Sequence, residues 1–177
     1  MRNTSSIAYI SLGSNIGDSP ACMDEALRLT AAISGVKVAA VSGRWRTEPQ
    51  DDKNQPWFVN QAAALYTGLA PLDLLKLLQG VENALGRVRE WGRRFGPRTI
   101  DLDILLYERQ DGLEQGAWLE ISLPELTLPH PRFRRRAFVL VPLREVAAKT
   151  STKLLAETQA ALDKLDYRLE GDRIFQA

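Results

Sequence analysis

Asp101 and Asp103 stand two residues apart in the run FGPRTIDLDILL. On a strand, side chains at i and i+2 share a face with Cα atoms roughly 6.5 to 7 Å apart, close enough for both carboxylates to reach one metal ion or a close pair. Hard oxygen donors of this kind select Mg²⁺, which keeps waters and takes its remaining ligands from substrate phosphates. A bare Asp-x-Asp is more often the polar face of a half-solvated strand. Two features turn that reading: Asp is a poor strand former, and the segment just before the pair, RVREWGRRFGPR, holds Arg87, Arg89, Arg93, Arg94 and Arg98. Guanidinium groups offer paired donors in a fixed fork and stay charged, which suits phosphate oxygens. Gly92, Gly96 and Pro97 among them make this a shaped loop rather than a helix face, with closure over a substrate as a fitting role.

Three further groups carry weaker signals. Phe58 and Asn60 alternate onto one strand face, where a flat heterocycle can stack on the ring while the amide reads its edge; taken alone, core packing and a satisfied buried amide explain them better. His130, the single histidine, lies in Leu-Pro-His-Pro ahead of Arg132, Arg134, Arg135 and Arg136, and a lone imidazole fits a nucleotide contact better than a triad or a zinc site. Gly13-Ser14-Asn15 reads as an ordinary strand-to-helix turn. The chain has no GxxxxGK[ST], GxGxxG or GxSxG run, so any nucleotide triphosphate must be held by carboxylate-bound metal and arginines.

The elements that must position these groups follow from periodicity. Ile7 to Leu12 predicts a strand, Ser19-Pro20 the N-cap and first turn of a helix, Gly35 its stop, and Val36 to Val41 a second strand. Residues 44–55 predict an exposed loop, and Trp57 to Thr67 a strand with Phe58, Asn60, Ala62, Ala64 and Tyr66 on one face. Pro71 opens a helix with a Leu74, Leu75, Leu78, Val81, Leu85 stripe that ends at Gly86. Thr99 to Tyr107 predicts a strand with Ile100, Leu102, Ile104 and Leu106 on one face and the Asp pair on the other, followed by a loop to about Leu126. The apolar run around Phe138 to Leu143 fits strand or helix, with Pro142 limiting both; Ser151 to Leu165 predicts a final helix and YRLEGDRIF a hairpin or extended tail. The expected architecture is an α+β sandwich, with helices on one face of a mainly antiparallel sheet.

Composition narrows the setting. A chain of 177 residues without repeats or linkers is expected to form one domain spanning 1–177. With 23 Lys and Arg against 22 Asp and Glu, no global field draws in nucleic acid or an anionic membrane. The lone Cys22 excludes an internal disulfide, and neither a secretory signal nor a membrane-spanning run is evident, so a cytoplasmic protein is expected.

Set in order, YISLGSNIGD, Arg46-Thr47, Pro56-x-Phe58-Val59-Asn60, RFGPRTIDLDILLY and LPHP with Arg136-Ala137-Phe138-Val139-Leu140 resemble the 6-hydroxymethyl-7,8-dihydropterin pyrophosphokinase family, from Tyr9 to about Glu145. The RxGPRxxDxD run is the most specific part of the likeness. The resemblance implies a ferredoxin-like fold and transfer of the pyrophosphoryl group of ATP to the pterin hydroxymethyl oxygen, giving AMP, in tetrahydrofolate biosynthesis. It implies that Asp101 and Asp103 bind two Mg²⁺ and that Arg87 and Arg98 close over the phosphates. Gln79, Glu82, Arg89, Ile104, His130 and Arg136 fall among its ATP contacts. Phe58 and Phe138 sandwich the pterin while Asn60 and the Thr47 backbone read its edge, which displaces the core-packing reading of Phe58 and Asn60. A monomer that binds neither nucleic acid nor membrane is expected. No side chain stands out as a general base, so the hydroxyl proton is expected to pass to solvent or to a metal-bound hydroxide. Two rivals remain at this level: a phosphoryl or nucleotidyl transferase acting on another alcohol, and an RNA-binding module using the Arg loop and strand aromatics.

Overall fold

A computed structural model describes residues 6–50, 53–87, 96–110 and 116–176. The Arg-rich stretch from 88 to 95, with Arg89, Arg93 and Arg94, lies outside the described residues.

The elements run in chain order as β1 (Ser6–Ser14), α1 (Ser19–Ala31), β2 (Val36–Val41), β3 (Trp45–Thr47), β4 (Phe58–Thr67), α2 (Pro71–Ala84) and β5 (Asp101–Arg109). There follow β6 (Ile121–Ser122), β7 (Thr127–Leu128), a 3₁₀ turn (Phe133–Arg135), α3 (Ala137–Thr150), α4 (Thr152–Leu162), β8 (Tyr167–Glu170) and β9 (Arg173–Gln176). The main sheet has the order β5-β1-β4-β3-β9-β8, with β2 alongside β4 beyond the end of β3. Each pairing is antiparallel except that of β3 with β9. Taking β2 and β3 as one interrupted strand, the first half of the chain is a βαββαβ unit with its strands in ferredoxin-like order, and the C-terminal hairpin extends its edge.

Helices cover both faces of the sheet, not one as the sequence suggested. Met23 and Ala26 of α1 and Leu74, Leu78 and Val81 of α2 pack with Ala8, Ile10 and Leu12 of β1 on one side. Leu140, Leu143, Val146 and Ala147 of α3 with Leu154, Ala161 and Leu162 of α4 pack with Ile7 and Tyr9 on the other. Burying one such Leu contributes about 1.5–3 kcal/mol, so two stripes of this size need two sheet faces. The ambiguous apolar run is the helix α3, and Pro142 lies inside it. Having no N–H, Pro142 leaves the Phe138 carbonyl without its intrahelical donor.

Three local expectations change. The N-cap of α1 is Asp18, whose carboxylate accepts from the Ala21 N–H at 3.0 Å, rather than Ser19. The segment 44–55 is not all loop, because Trp45–Thr47 pair with Asn60–Phe58. In β5, Leu105 is an extra residue between the pairs Ile10↔Ile104 and Tyr9↔Leu106, a β-bulge that reverses the alternation. Leu106 therefore joins the α3 side instead of the face of Ile100, Leu102 and Ile104. Gly86, at φ +75°, directly follows the C-cap of α2 and ends it in the left-handed conformation, whereas α1 is capped at Ala32 and Gly35, at φ +85°, serves the turn from Ile33 to Val36 that leads into β2.

Candidate active site

The strand register puts the chemistry in one row. Gly13 at the centre of the sheet is paired with Asp101 on one side and Asn60 on the other, and Asn60 is in turn paired with Trp45. One step along, Ser11 faces Asp103. Asp101, Asp103, Asn60 and Phe58 thus share the α3 face at the end of the sheet where α3 begins. A cavity of about 450 Å³ opens there, lined from β1, β3, β4, α2, β5, the His130 segment and α3.

Asp101 is the centre of a charge cluster. Its Oδ1 is 2.5 Å from Arg87 Nη1 and its Oδ2 is 2.5 Å from Arg98 Nη1. Arg87 also pairs with Glu82, a carboxylate only 1% exposed that accepts from the Leu102 N–H at 2.7 Å. Glu82 thereby ties the end of α2 to the start of β5 and holds Arg87 against Asp101. The carboxylate of Asp103 takes no hydrogen bond or ion pair from the described residues. Desolvation at the cavity wall, then the charges of Asp101 and Glu82, pushes its carboxyl up against the pull of Arg98 and Arg87. A carboxylate so placed favours a nearby divalent cation. Among the described residues no cluster of three or more such ligands surrounds a metal, so a cation held by this pair would draw further ligands from water or substrate oxygens. The buried Arg98 Nε has no partner among the described residues, leaving a donor for an anion.

Aromatic rings back the arginines. Arg98 Cζ lies 5.2 Å from the Phe58 ring centroid and Arg136 Cζ 5.4 Å from that of Phe138. Behind Phe58, the Asn60 amide donates to Thr47 Oγ1 at 2.8 Å, and both residues are buried. His130 is fixed by its N–H to the carbonyl of the bulged Leu105 (2.8 Å), and its Nδ1 accepts from the Arg132 N–H at 3.3 Å. Burial, then Arg136 and Arg132, hold its imidazole down to about 4, with Asp101 opposing, so the ring is neutral near pH 7.

Asp101, Asp103, Arg87, Arg98, Gln79, Glu82, His130, Arg136, Thr47, Phe58, Asn60 and Phe138 all line this single cavity. Ile104 does not: it points to the opposite face and is buried against α1 and α2, as the pre-bulge alternation dictates. Arg89 lies outside the described residues. Arg132, Gln50, Gln55 and Glu125, none of them a predicted site residue, also line the cavity.

Asn15 is the residue that sequence reasoning undervalued. Its Oδ1 accepts from the Arg98 N–H at 2.8 Å, its own N–H donates to the Arg98 carbonyl at 3.1 Å, and its Nδ2 donates to Gln55 Oε1 and the Pro56 carbonyl. One buried amide therefore fixes both the arginine and the segment leading into Phe58. The signal was present as Asn directly after Gly13-Ser14, but its partners lie 40 and 83 positions away.

A model of the 7,8-dihydro-6-hydroxymethylpterin-pyrophosphokinase (HPPK) family matches residues 9–148. The chain belongs to this family. Among its relatives, the 2-amino-4-hydroxy-6-hydroxymethyldihydropteridine pyrophosphokinase of Methylorubrum extorquens is 49% identical over 140 residues, 79% of this chain and 82% of the relative. That of Bacillus subtilis is 40% identical over 170 residues, 96% of this chain and 90% of the relative. The wild-type HPPK-DHPS of Plasmodium falciparum, a crystal structure, superposes with a TM-score of 0.60 at 14% identity over 96% of this chain, a likeness of fold alone. The chain spans about half, 49%, of that protein's length. In this HPPK chain, no helix of the described residues is long and apolar enough to cross a membrane.

Proposed function

We propose that this HPPK-family chain transfers the pyrophosphoryl group of ATP to the hydroxymethyl oxygen of 6-hydroxymethyl-7,8-dihydropterin, releasing AMP, as a step of tetrahydrofolate biosynthesis. The observation that carries the reading is the single cavity in which the Arg87-Asp101-Arg98 cluster adjoins the Phe58, Asn60, Thr47 and Phe138 group. The first half suits phosphates. The second suits a flat, hydrogen-bonding ring.

In this assignment Phe58 and Phe138 stack on the pterin, and Asn60, oriented by Thr47, reads its edge. Gln79, Glu82, His130 and Arg136 flank ATP, with neutral His130 available as a hydrogen-bonding group. Ile104 enters as support from the sheet core, and Arg89, outside the described residues, joins the ATP contacts by family resemblance. Asp101 and Asp103 hold Mg²⁺, two ions by this assignment, whose charge offsets that of the phosphates. The pterin hydroxyl oxygen attacks the β-phosphorus in line, the bond from that phosphorus to the α,β-bridging oxygen breaks, and its electrons leave with AMP. The hydroxyl proton passes to solvent. Arg87 and Arg98 pair with Asp101, and phosphate oxygens compete for the same donors; once turned to them, these arginines stabilise the charge that grows on the transferring group. The chain acts as one domain and a cytoplasmic monomer.

Incubation with ATP, Mg²⁺ and the pterin alcohol tests this. AMP formed in step with pterin pyrophosphate is expected. ADP as the product, or turnover independent of the pterin, overturns the reading, and omission of Mg²⁺ with a chelator present is expected to stop it.

A further inference from the structure

The last strand, β9, lies beyond the span matched by the family, yet it touches three separate supports of the cavity. It runs parallel to β3 with Thr47 opposite Ile174, and the Arg46 N–H donates to the Asp172 carbonyl at 2.7 Å. The Phe175 ring stands edge-on to Trp57, next to Phe58, with centroids 5.6 Å apart. The third support is polar. Gln176 Oε1 accepts from the Ala137 N–H at 2.7 Å and from Gln50 Nε2 at 3.1 Å, while its Nε2 donates to the Arg135 carbonyl at 2.9 Å.

These bonds fall where α3 is weakest. Arg136, the N-cap of α3, makes no side-chain capping bond, so the first N–H groups of the helix need partners from elsewhere. Pro142 has already removed the donor for the Phe138 carbonyl one turn on. The turn that carries Phe138 is thus short of its usual bonds at both ends, and Gln176 supplies one from another strand. By gripping Gln50 with the same oxygen, it also sets the distance between α3 and the segment after Thr47.

We propose that Gln176 is a positioning residue for the ring-binding half of the cavity, holding the Phe138 turn and the Thr47–Gln50 segment at the separation that a flat acceptor needs. This rests on the pterin assignment above. It touches neither the Asp pair nor Arg87 and Arg98, and although its bonds to Arg135 and Ala137 flank Arg136, the span it sets is that of the Phe138 turn, so the larger effect should fall on the pterin alcohol and the smaller on ATP.

The test uses the full chain with Gln176→Ala and Gln176→Glu, reading KM for each substrate, kcat and Tm. For Gln176→Ala, KM for the pterin alcohol should rise about tenfold, the scale of one lost bond with an orphaned donor, while KM for ATP should stay within about twofold. Gln176→Glu keeps the acceptor for Ala137 and Gln50 and should recover most of the pterin KM. Equal losses for both substrates, an unchanged pterin KM, or a Glu variant no better than Ala would overturn the proposal. If Gln176→Ala does not fold, Gln176→Met, which keeps the length of the side chain and loses its acceptor and donor, takes its place: a pterin KM raised by more than the ATP KM supports the role, and equal changes refute it. Failure of the unsubstituted chain to bind the pterin alcohol while binding ATP would instead remove the pterin assignment itself.

Discussion

Arg98 Nη1 and Asp101 Oδ2 are 2.5 Å apart, three residues along the chain, and the other oxygen of the same carboxylate is held by Arg87. One acidic group thus fixes two arginines that arrive from opposite ends of the Arg-rich stretch. Arg87 follows α2 and Arg98 leads into β5.

Replacing Asp101 or Asp103 by Asn keeps shape and removes a hard anionic donor. Activity should fall at least about 100-fold, or about 3 kcal/mol of barrier, with Tm changed by no more than a few degrees as seen by circular dichroism. Full turnover by either variant at ordinary Mg²⁺ would contradict the metal assignment.

Phe138→Ala and Phe58→Ala remove a stacking face each. Calorimetric titration should show pterin affinity down by about tenfold, in line with one aromatic contact and its buried area. ATP affinity should change less. Phe58→Ala also strips the ring from beneath Arg98, so a modest drop in kcat is expected there and not for Phe138→Ala.

Asn15→Ala should lower stability by about 1–3 kcal/mol by orphaning buried groups, measured by urea denaturation, and should lower kcat by loosening Arg98. Asn15→Asp separates the two tethers: it retains an acceptor for the Arg98 N–H and loses the donor to Gln55 and Pro56. Its kcat should exceed that of the Ala variant.

His130 gives the pH dependence. Its folded value of about 4 lies below the unfolded value near 6.5. Between these the unfolded chain binds the extra proton, so the stability that neutral His130 provides is full above pH 6.5 and is lost as pH falls toward 4. An NMR titration of the imidazole should show no protonation at pH 5.5. In His130→Gln the fall in stability between pH 6.5 and 4 should be shallower.

Wherever periodicity was unbroken, the sequence was a sound guide to the fold. The stripe of α2 and the strand β4 are as their spacing predicts: α2 turns one apolar face to the sheet, and β4 alternates Ala62 and Ala64 toward α3 with Ala63 and Leu65 toward α1 and α2. The errors share a cause: partners remote in sequence. Trp45–Thr47 looked like loop because three residues show no period, and they become a strand only through pairing with β4 and β9. The second layer of helices was hidden because α3 is apolar nearly all round, so its run gave no face to assign. In the site, Asp101, Asp103 and the arginines were legible from charge and spacing, whereas Phe58 and Asn60 gained meaning only beside the family motifs. Asn15 was legible only as part of a turn and Gln176 not at all, since a single amide acquires a role only from the groups that folding brings to it.

The extra residue at Leu105 works as a change of phase within one strand. Ahead of it, β5 turns its carboxylates to the cavity; after it, the same face is filled by Leu106 against the α3 core, and the carbonyl at the break holds His130. A single strand can therefore be a polar floor at one end and an apolar wall at the other without exposing either. Deleting Leu105 would restore strict alternation with Leu106 still opposite Tyr9 on the α3 side, so what the extra residue supplies is a second apolar side chain packed there and the carbonyl that fixes His130 at the border between water-loving and water-shunning duties.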